Sequence, residues 1–273
     1  MREVLQTKDM YFMDDPREGD RLYRKANAKV FVAKYLESHL ENLTNARILE
    51  AGCGSGAFLQ VLGQTYVNHS FVGIDISGER VREANARVIG QTHVKAMQAS
   101  IYQLPFPDNY FDFIYCRFLY EYLQQPIEAT KELFRVCKPE GKLLVQDLDG
   151  QFTMYPETPA ALKKVILLLK NETGFDPDVG RKLFTFGKSA SFSCVHAEIE
   201  AYHKKFGSFD EENYRLWELK VDIALEYVKK VLPDAKWTEN FKNEFLASLR
   251  DENTVLFSNL FTLTFEKAYM HSS

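Results

Sequence analysis

From residue 46 to about 150, short runs of consecutive apolar residues alternate with stretches in which apolar positions recur every three or four residues. The runs ARILE (46–50), SFVGID (70–75), FDFIYC (111–116) and KLLVQD (142–147) predict buried strands, and 93–98 predicts a weaker one. Between them, 56–65, a segment from Ser77 to about 88, and 126–137 predict helices. Ser77 offers an N-cap with Glu79 in the first turn, and Lys138-Pro139-Glu140-Gly141 ends the third helix. Strands alternating with helices of this length predict βαβ units and a mainly parallel sheet covered on both faces.

The flanks have a different rhythm. Leu22, Ala26, Val30, Ala33, Leu36 and Leu40 predict one helix over 16–42. After residue 150 the pattern predicts a helix over 158–171 and a strand over 192–202. A long helix over 210–232 follows, with Tyr214, Trp217, Val221, Ala224 and Val228 on one face and Pro233 as its stop. A helix over 237–250 carries Trp237, Phe241, Phe245 and Leu249. Alternation over 254–266 predicts a final strand, with Val255, Phe257, Phe261, Leu263 and Phe265 on one face. No Pro-, Gly- or Ser-rich linker separates these parts, so the helical block at 208–250 reads as an insertion into one domain.

Composition narrows the class. With 273 residues, 45% hydrophobic and 26% charged, the chain has the make-up of a soluble protein with a sizeable core. A net charge of −4 gives no electrostatic reason to bind nucleic acid or an anionic membrane. The longest aliphatic run, VILLL at 165–169, is too short to span a bilayer, and MREVLQTKDMYF lacks the apolar core of a signal peptide. Cys53, Cys116, Cys137 and Cys194 are widely spaced, which predicts buried reduced thiols in a cytoplasmic protein. The histidines have no metal-ligand spacing, so no metal is expected.

The candidate chemistry lies in ILEAGCGSGAFL (48–59), a strand running into a helix through a glycine turn. Such a turn lets a ligand approach the backbone closely and presents helix N–H groups. Gly52, Gly54 and Ala57 satisfy G-x-G-x-x-G/A, so an NAD(P)-dependent oxidoreductase fits the glycines alone. Asp75, about 20 residues on at the end of the next strand, suits ribose recognition in either cofactor class. Glu50 favours the other class, because a carboxylate beside the turn repels a pyrophosphate and attracts an ammonium or sulfonium.

Glu50, Gly52, Gly54 and Gly56 also match E/D-x-G-x-G-x-G, and LPFPDNYFDFIYCRFLYEYL (104–123) and RVCKPEGKLLVQD (135–147) follow in order. Together these resemble the class I S-adenosyl-L-methionine-dependent methyltransferases of small-molecule type, over roughly residues 46–150. YFMDDPREGDRLYRKA (11–26) and GFDPDVGRKLF (174–184) resemble looser stretches of a subset of them. The resemblance implies a Rossmann-like, doubly wound, seven-stranded mixed α/β sheet, with an N-terminal helix and a helical cap inserted before the last strand. It implies an N-terminal helical lid at 1–45 and a methyltransferase domain at 46–273 with the cap at about 208–250.

By position, the resemblance assigns Glu50, Ala51, Gly52, Cys53 and Gly54 to the methionine part of the cofactor, with Ser55 and Gly56 opening the helix, Asp75 to the ribose and Ile76 to the adenine face. Ser100 stands where many relatives have an aspartate for the adenine amino group; its hydroxyl and the Ile101 N–H are the expected replacements. The backbone at Cys116 and Arg117 is expected to meet the cofactor's amino group, and Tyr11 and Arg21 to close over its carboxylate. Arg21 equally fits a surface position on its helix. Candidate bases follow the fourth and fifth strands: Glu121, Tyr122, Asp147 and Asp149, each of which also fits a cap or solvent-facing role. Aromatic residues in the insertion fit either a helical core or a cover over a small, partly apolar acceptor. The expected activity is methyl transfer to a small molecule; a non-catalytic protein that keeps the cofactor pocket is the other alternative. The oligomeric state is not legible.

Overall fold

The computed structural model describes residues 11–157, 160–232 and 237–268. Pro233 and the first two residues of the helix predicted over 158–171 lie outside them.

Seven strands form one sheet in the order β3-β2-β1-β4-β5-β7-β6. These are β1 (Arg47–Ala51), β2 (Ser70–Asp75), β3 (Val94–Gln98), β4 (Phe111–Arg117), β5 (Cys137–Tyr155), β6 (Ser193–Phe206) and β7 (Val255–Glu266). The first five run parallel to their neighbours, and β7 inserts antiparallel between β5 and β6. The sheet is therefore mixed and doubly wound, and its order reverses beside β1. That reversal opens a crevice at the carboxyl ends of β1 and β4, the usual ligand position in such sheets.

The helices are α1 (Pro16–Ala26), α2 (Ala28–Phe31), α3 (Glu37–Leu40), α4 (Ala57–Thr65), α5 (Gly78–Arg87), α6 (Pro126–Val136), α7 (Ala160–Thr173), α8 (Leu183–Ser189), α9 (Glu211–Val231) and α10 (Trp237–Ser248). One face of the sheet packs Ile48, Phe71 and Phe113 against α4, α5 and the N-terminal helices, and the other packs Ile114, Leu143 and Val145 against α6 and α8. A third core joins α7, α9 and α10 to Phe12 and Met13 of the N-terminal segment.

Besides α8, which the apolar pattern does not predict, and β6, which runs on to Phe206, three elements depart from the sequence expectation. The helix over 16–42 is broken at Asn27, whose left-handed φ of 45° ends α1, and Val32–Leu36 then winds as a π-turn before α3. Asparagine tolerates that conformation where most residues do not. Strand β5 runs well past residue 147, because β7 pairs with it from Lys142↔Glu266 to Tyr155↔Val255. In β7 the half toward Val255 buries Leu256, Ser258 and Leu260 and leaves Phe257 exposed, so the expected face is buried only from Leu263 onward.

Candidate functional site

A cavity of about 210 Å³ opens at the carboxyl ends of β1, β2 and β4. Its floor is the glycine turn. The Gly52 and Cys53 N–H groups both donate to the Ile74 carbonyl at 2.8 Å, tying the turn to β2. Gly54 and Gly56 both adopt positive φ, 50° and 81°, but serve different ends. A Cβ on Gly54 would meet nothing within 4 Å, since that side faces the cavity. A Cβ on Gly56 would stand 2.7 Å from the Ala84 Cβ and 2.8 Å from its Cα, so this glycine permits α4 and α5 to touch.

Asp75 braces the turn from β2. One carboxylate oxygen accepts the Gly54 N–H at 2.8 Å and the other the Ser77 N–H at 2.9 Å. Burial pushes the Asp75 pKa up, and these two bonds pull it back. Each oxygen retains a lone pair for a further donor. Glu50 is buried at the end of β1 and accepts the Tyr115 hydroxyl at 2.8 Å. Burial raises its pKa to about 8, against the pull of that bond. A carboxyl group held so far from water becomes a strong counter-charge once a cation arrives. Cys53, Ile76, Ser100 and Ile101 line the same end of the cavity, and the Ser100 hydroxyl accepts the Tyr102 N–H at 3.3 Å.

Arg21 is buried in the cavity wall and is not a surface residue. Its Nε and one terminal nitrogen each donate to the Glu18 carboxylate at 2.6 Å, so the charge is already balanced from within its own helix. Tyr11 lies edge-on to Tyr122 at 5.0 Å between ring centroids, and both line the cavity. Arg117 also lines it; Gln146 (2.8 Å) and the Ala26 carbonyl (3.2 Å) hold its guanidinium over Phe118 and Phe31. Phe118 takes a left-handed φ of 54°, an uncommon conformation for an aromatic residue, fixed by its N–H bond to the Gln146 carbonyl.

Among the candidate bases, Glu121 and Tyr122 face the cavity from the short turn after β4, and Gln151 donates to Glu121 at 3.3 Å. Asp147 does not line it. Its carboxylate accepts the backbone N–H groups of Leu148 at 2.8 Å and Glu121 at 3.2 Å, behind the wall. Burial and the neighbouring Glu121 push its pKa well up. Its place is to hold the turn that presents Glu121. Asp149 is closed off by Arg181, which donates to it through Nε and through its backbone N–H at 2.8 Å. Ala51, Gly56 and Cys116 lie behind the lining as packing residues.

The sequence reading passed over Gln151, Phe118 and Lys220, all of which line the cavity. Lys220 had a signal: it falls on the apolar stripe of α9, three residues after Trp217 and four before Ala224. Among the described residues no group of three His, Cys, Asp or Glu side chains is placed to hold a metal ion. No described helix is long and apolar enough to cross a membrane.

Residues 49–145 match a family model described as "Methyltransferase domain". An uncharacterized methyltransferase of Schizosaccharomyces pombe is 27% identical over 202 residues, 68% of each chain. The ubiquinone/menaquinone biosynthesis C-methyltransferase UbiE of Vibrio cholerae is 34% identical over 109 residues, 36% of this chain and 40% of the relative, so this chain spans less than half of that protein. A solved structure of a candidate methyltransferase from Bacillus halodurans superposes with a TM-score of 0.61 at 15% identity, covering 87% of this chain and 99% of that one. Over residues 49–145 the chain therefore carries a methyltransferase domain of the class I, S-adenosyl-L-methionine-dependent kind, and S-adenosyl-L-methionine is the cofactor of that domain. The residues present fit that group. Gly54 leaves open space where a side chain would stand, a buried acid waits at Glu50, and Asp75 has lone pairs to spare for a diol.

Proposed function

We propose that this protein methylates a small molecule held between the glycine turn and helix α9. The observation that carries this reading is a single cavity whose wall includes Asp75 of β2, Glu121 and Tyr122 of the turn after β4, Gln151 of β5 and Lys220 of α9. When bound, the cofactor supplies a methyl group on a sulfonium, already activated for displacement. Asp75 would accept both ribose hydroxyls, Ile76 would pack on the adenine, and the Ser100 hydroxyl and the Ile101 N–H would bond its edge. Glu50, with the carbonyl at Arg117 in place of Cys116, which lies behind the lining, would hold the ammonium, and Tyr11 and Arg21 the carboxylate. The work left to the protein is to position the acceptor and exclude water. Glu121 would take the acceptor's proton where one must leave, with Tyr122 beside it.

In this reading residues 1–45 form a lid, residues 46–273 the catalytic domain and 208–250 the cap. The buried core that joins Phe12 and Met13 to α9 and α10 supports it. The free thiols, three of them buried, support a cytoplasmic site of action. Calorimetry with S-adenosylhomocysteine, NAD and NADP tests the cofactor, and a screen of acceptors with methyl-labelled cofactor tests the reaction. Micromolar S-adenosylhomocysteine binding and label transfer to a small molecule are expected. Tight NAD(P) binding, or cofactor binding without transfer to any acceptor, would overturn the proposal.

A further inference from the structure

The cavity wall contributed by α9 carries a lysine where the helix otherwise presents apolar residues. Trp217, Val221 and Val228 on this stripe are buried, and Lys220 lies among them. It lines the main cavity and also a second, wholly apolar cavity of about 40 Å³ beside it, between α7, α9 and α10. Its ammonium stands over two aromatic rings, 5.4 Å from Trp217 and 5.8 Å from Phe152. Among the described residues it makes no ion pair. Other lysines of the cap are paired, Lys229 with Glu239 at 2.6 Å and Lys242 with Asp222 at 2.6 Å.

The carboxylates whose fields reach Lys220 are Glu121, Glu18 and Asp147, and all three are committed elsewhere. Glu18 is clamped by Arg21, Asp147 accepts backbone N–H groups, and Glu121 accepts from Gln151. The nearby Arg117 guanidinium bonds only neutral oxygens, on Gln146, Ala26 and Tyr202. Among the described residues neither cation of the cavity wall, Lys220 or Arg117, makes a direct ion pair with a carboxylate. A leucine at position 220 would complete the apolar stripe and avoid the cost of a half-buried, unpaired charge. Cation–π contact offsets part of that cost but leaves donors on the ammonium unused.

We propose that Lys220 seats an anionic group of the acceptor, a carboxylate or a phosphate, while the atom to be methylated lies toward Glu121. This rests on the methyl-transfer reading above and adds the substrate class to it. The acceptor is then a bipolar small molecule, with its charge fixed under the cap and its nucleophile directed at the glycine turn. Burial pulls the Lys220 pKa down, and an arriving anion pushes it back up.

The chain has two tryptophans, so W237F leaves Trp217, the ring beneath the ammonium, as sole reporter. W237F protein saturated with S-adenosylhomocysteine is titrated with sodium phosphate and, separately, sodium acetate, each at ionic strength held constant with sodium chloride. A saturable change in Trp217 emission is expected, weakened at least tenfold in W237F/K220M and largely restored in W237F/K220R. Response to phosphate alone assigns a phosphate, response to acetate alone a carboxylate, and response to both keeps the shared class. Equal S-adenosylhomocysteine affinity in the K220M protein shows that the fold and cofactor site are intact. No saturable response to either anion, or the same affinity without Lys220, overturns the proposal while leaving methyl transfer standing. Failure of the W237F and unmodified proteins to bind S-adenosylhomocysteine overturns the functional reading first, and this one with it.

Discussion

Replacing Gly54 and Gly56 by alanine, one at a time, separates what the glycine turn does for the fold from what it does for the ligand. Both positions have positive φ, so each alanine pays backbone strain of about 1–2 kcal/mol. At Gly54 nothing stands within 4 Å of the added methyl, and that strain is the whole stability cost. At Gly56 the methyl lands 2.7 Å and 2.8 Å from Ala84 Cβ and Cα, and the second of these is backbone. Helix α5 must shift to make room, which adds about 1–3 kcal/mol. G54A should therefore melt roughly 2–8 °C below the parent and G56A roughly 4–20 °C below it. Affinity should run the other way. The Gly54 methyl fills the space in which the cofactor must lie, so G54A loses more S-adenosylhomocysteine affinity by calorimetry than G56A does at a temperature where both are folded. If G54A binds as tightly as the parent, the open side of Gly54 is not the cofactor's seat and the assignment of the turn fails.

The acids Asp75, Glu50, Glu121 and Asp147 carry four further predictions. Asp75→Ala should weaken S-adenosylhomocysteine binding by about 1–3 kcal/mol, roughly 5- to 150-fold, and an unchanged dissociation constant would show that the ribose lies elsewhere. Glu50 is raised in the folded state to about 8 from an ordinary value of 4.5, so the folded protein holds a proton that the unfolded chain has lost. Stability should then fall as pH rises from 4.5 toward 8 and level off above, and Glu50→Gln should remove that slope from the melting temperatures. Because a cation favours the charged form, cofactor binding should release a proton near neutral pH, giving a calorimetric enthalpy that depends on the buffer. Glu121→Gln should lower turnover with cofactor affinity and melting temperature near the parent's. Asp147→Ala should destabilise the fold by about 1–3 kcal/mol, read as a lower melting temperature, since it leaves buried N–H groups unpaired.

The strands and the glycine turn were legible because buried parallel strands read as continuous apolar runs, and because Glu50 and Asp75 stand at their carboxyl ends. The bend at Asn27 was not, since the apolar spacing runs on through it and one residue's backbone conformation breaks the helix. The length of β5 depends on pairing with β7, which joins it from more than a hundred residues later and leaves no local mark. Glu18 was within reach of sequence reasoning, three residues before Arg21 on one helix face, and would have indicated a paired arginine. Asp147 could not be told from a base by position alone, because its role depends on how the turn at Tyr120–Tyr122 folds back over it. Lys220 was masked by the aromatic stripe that surrounds it.

The segment from Phe12 to Arg17 is fastened at both ends of the site. Toward the cofactor end, the Ser77 hydroxyl donates to Asp14 at 2.7 Å and Arg80 donates to the Asp15 carbonyl. Toward the cap, Phe12 is packed into its core and Arg17 reaches Glu226 of α9 at 2.8 Å. On the proposed reading this couples the traffic of two different molecules. If the segment lifts as a lid, the spent cofactor and the methylated product would leave past the same stretch of chain, and their departures would share one opening step that these fastenings oppose.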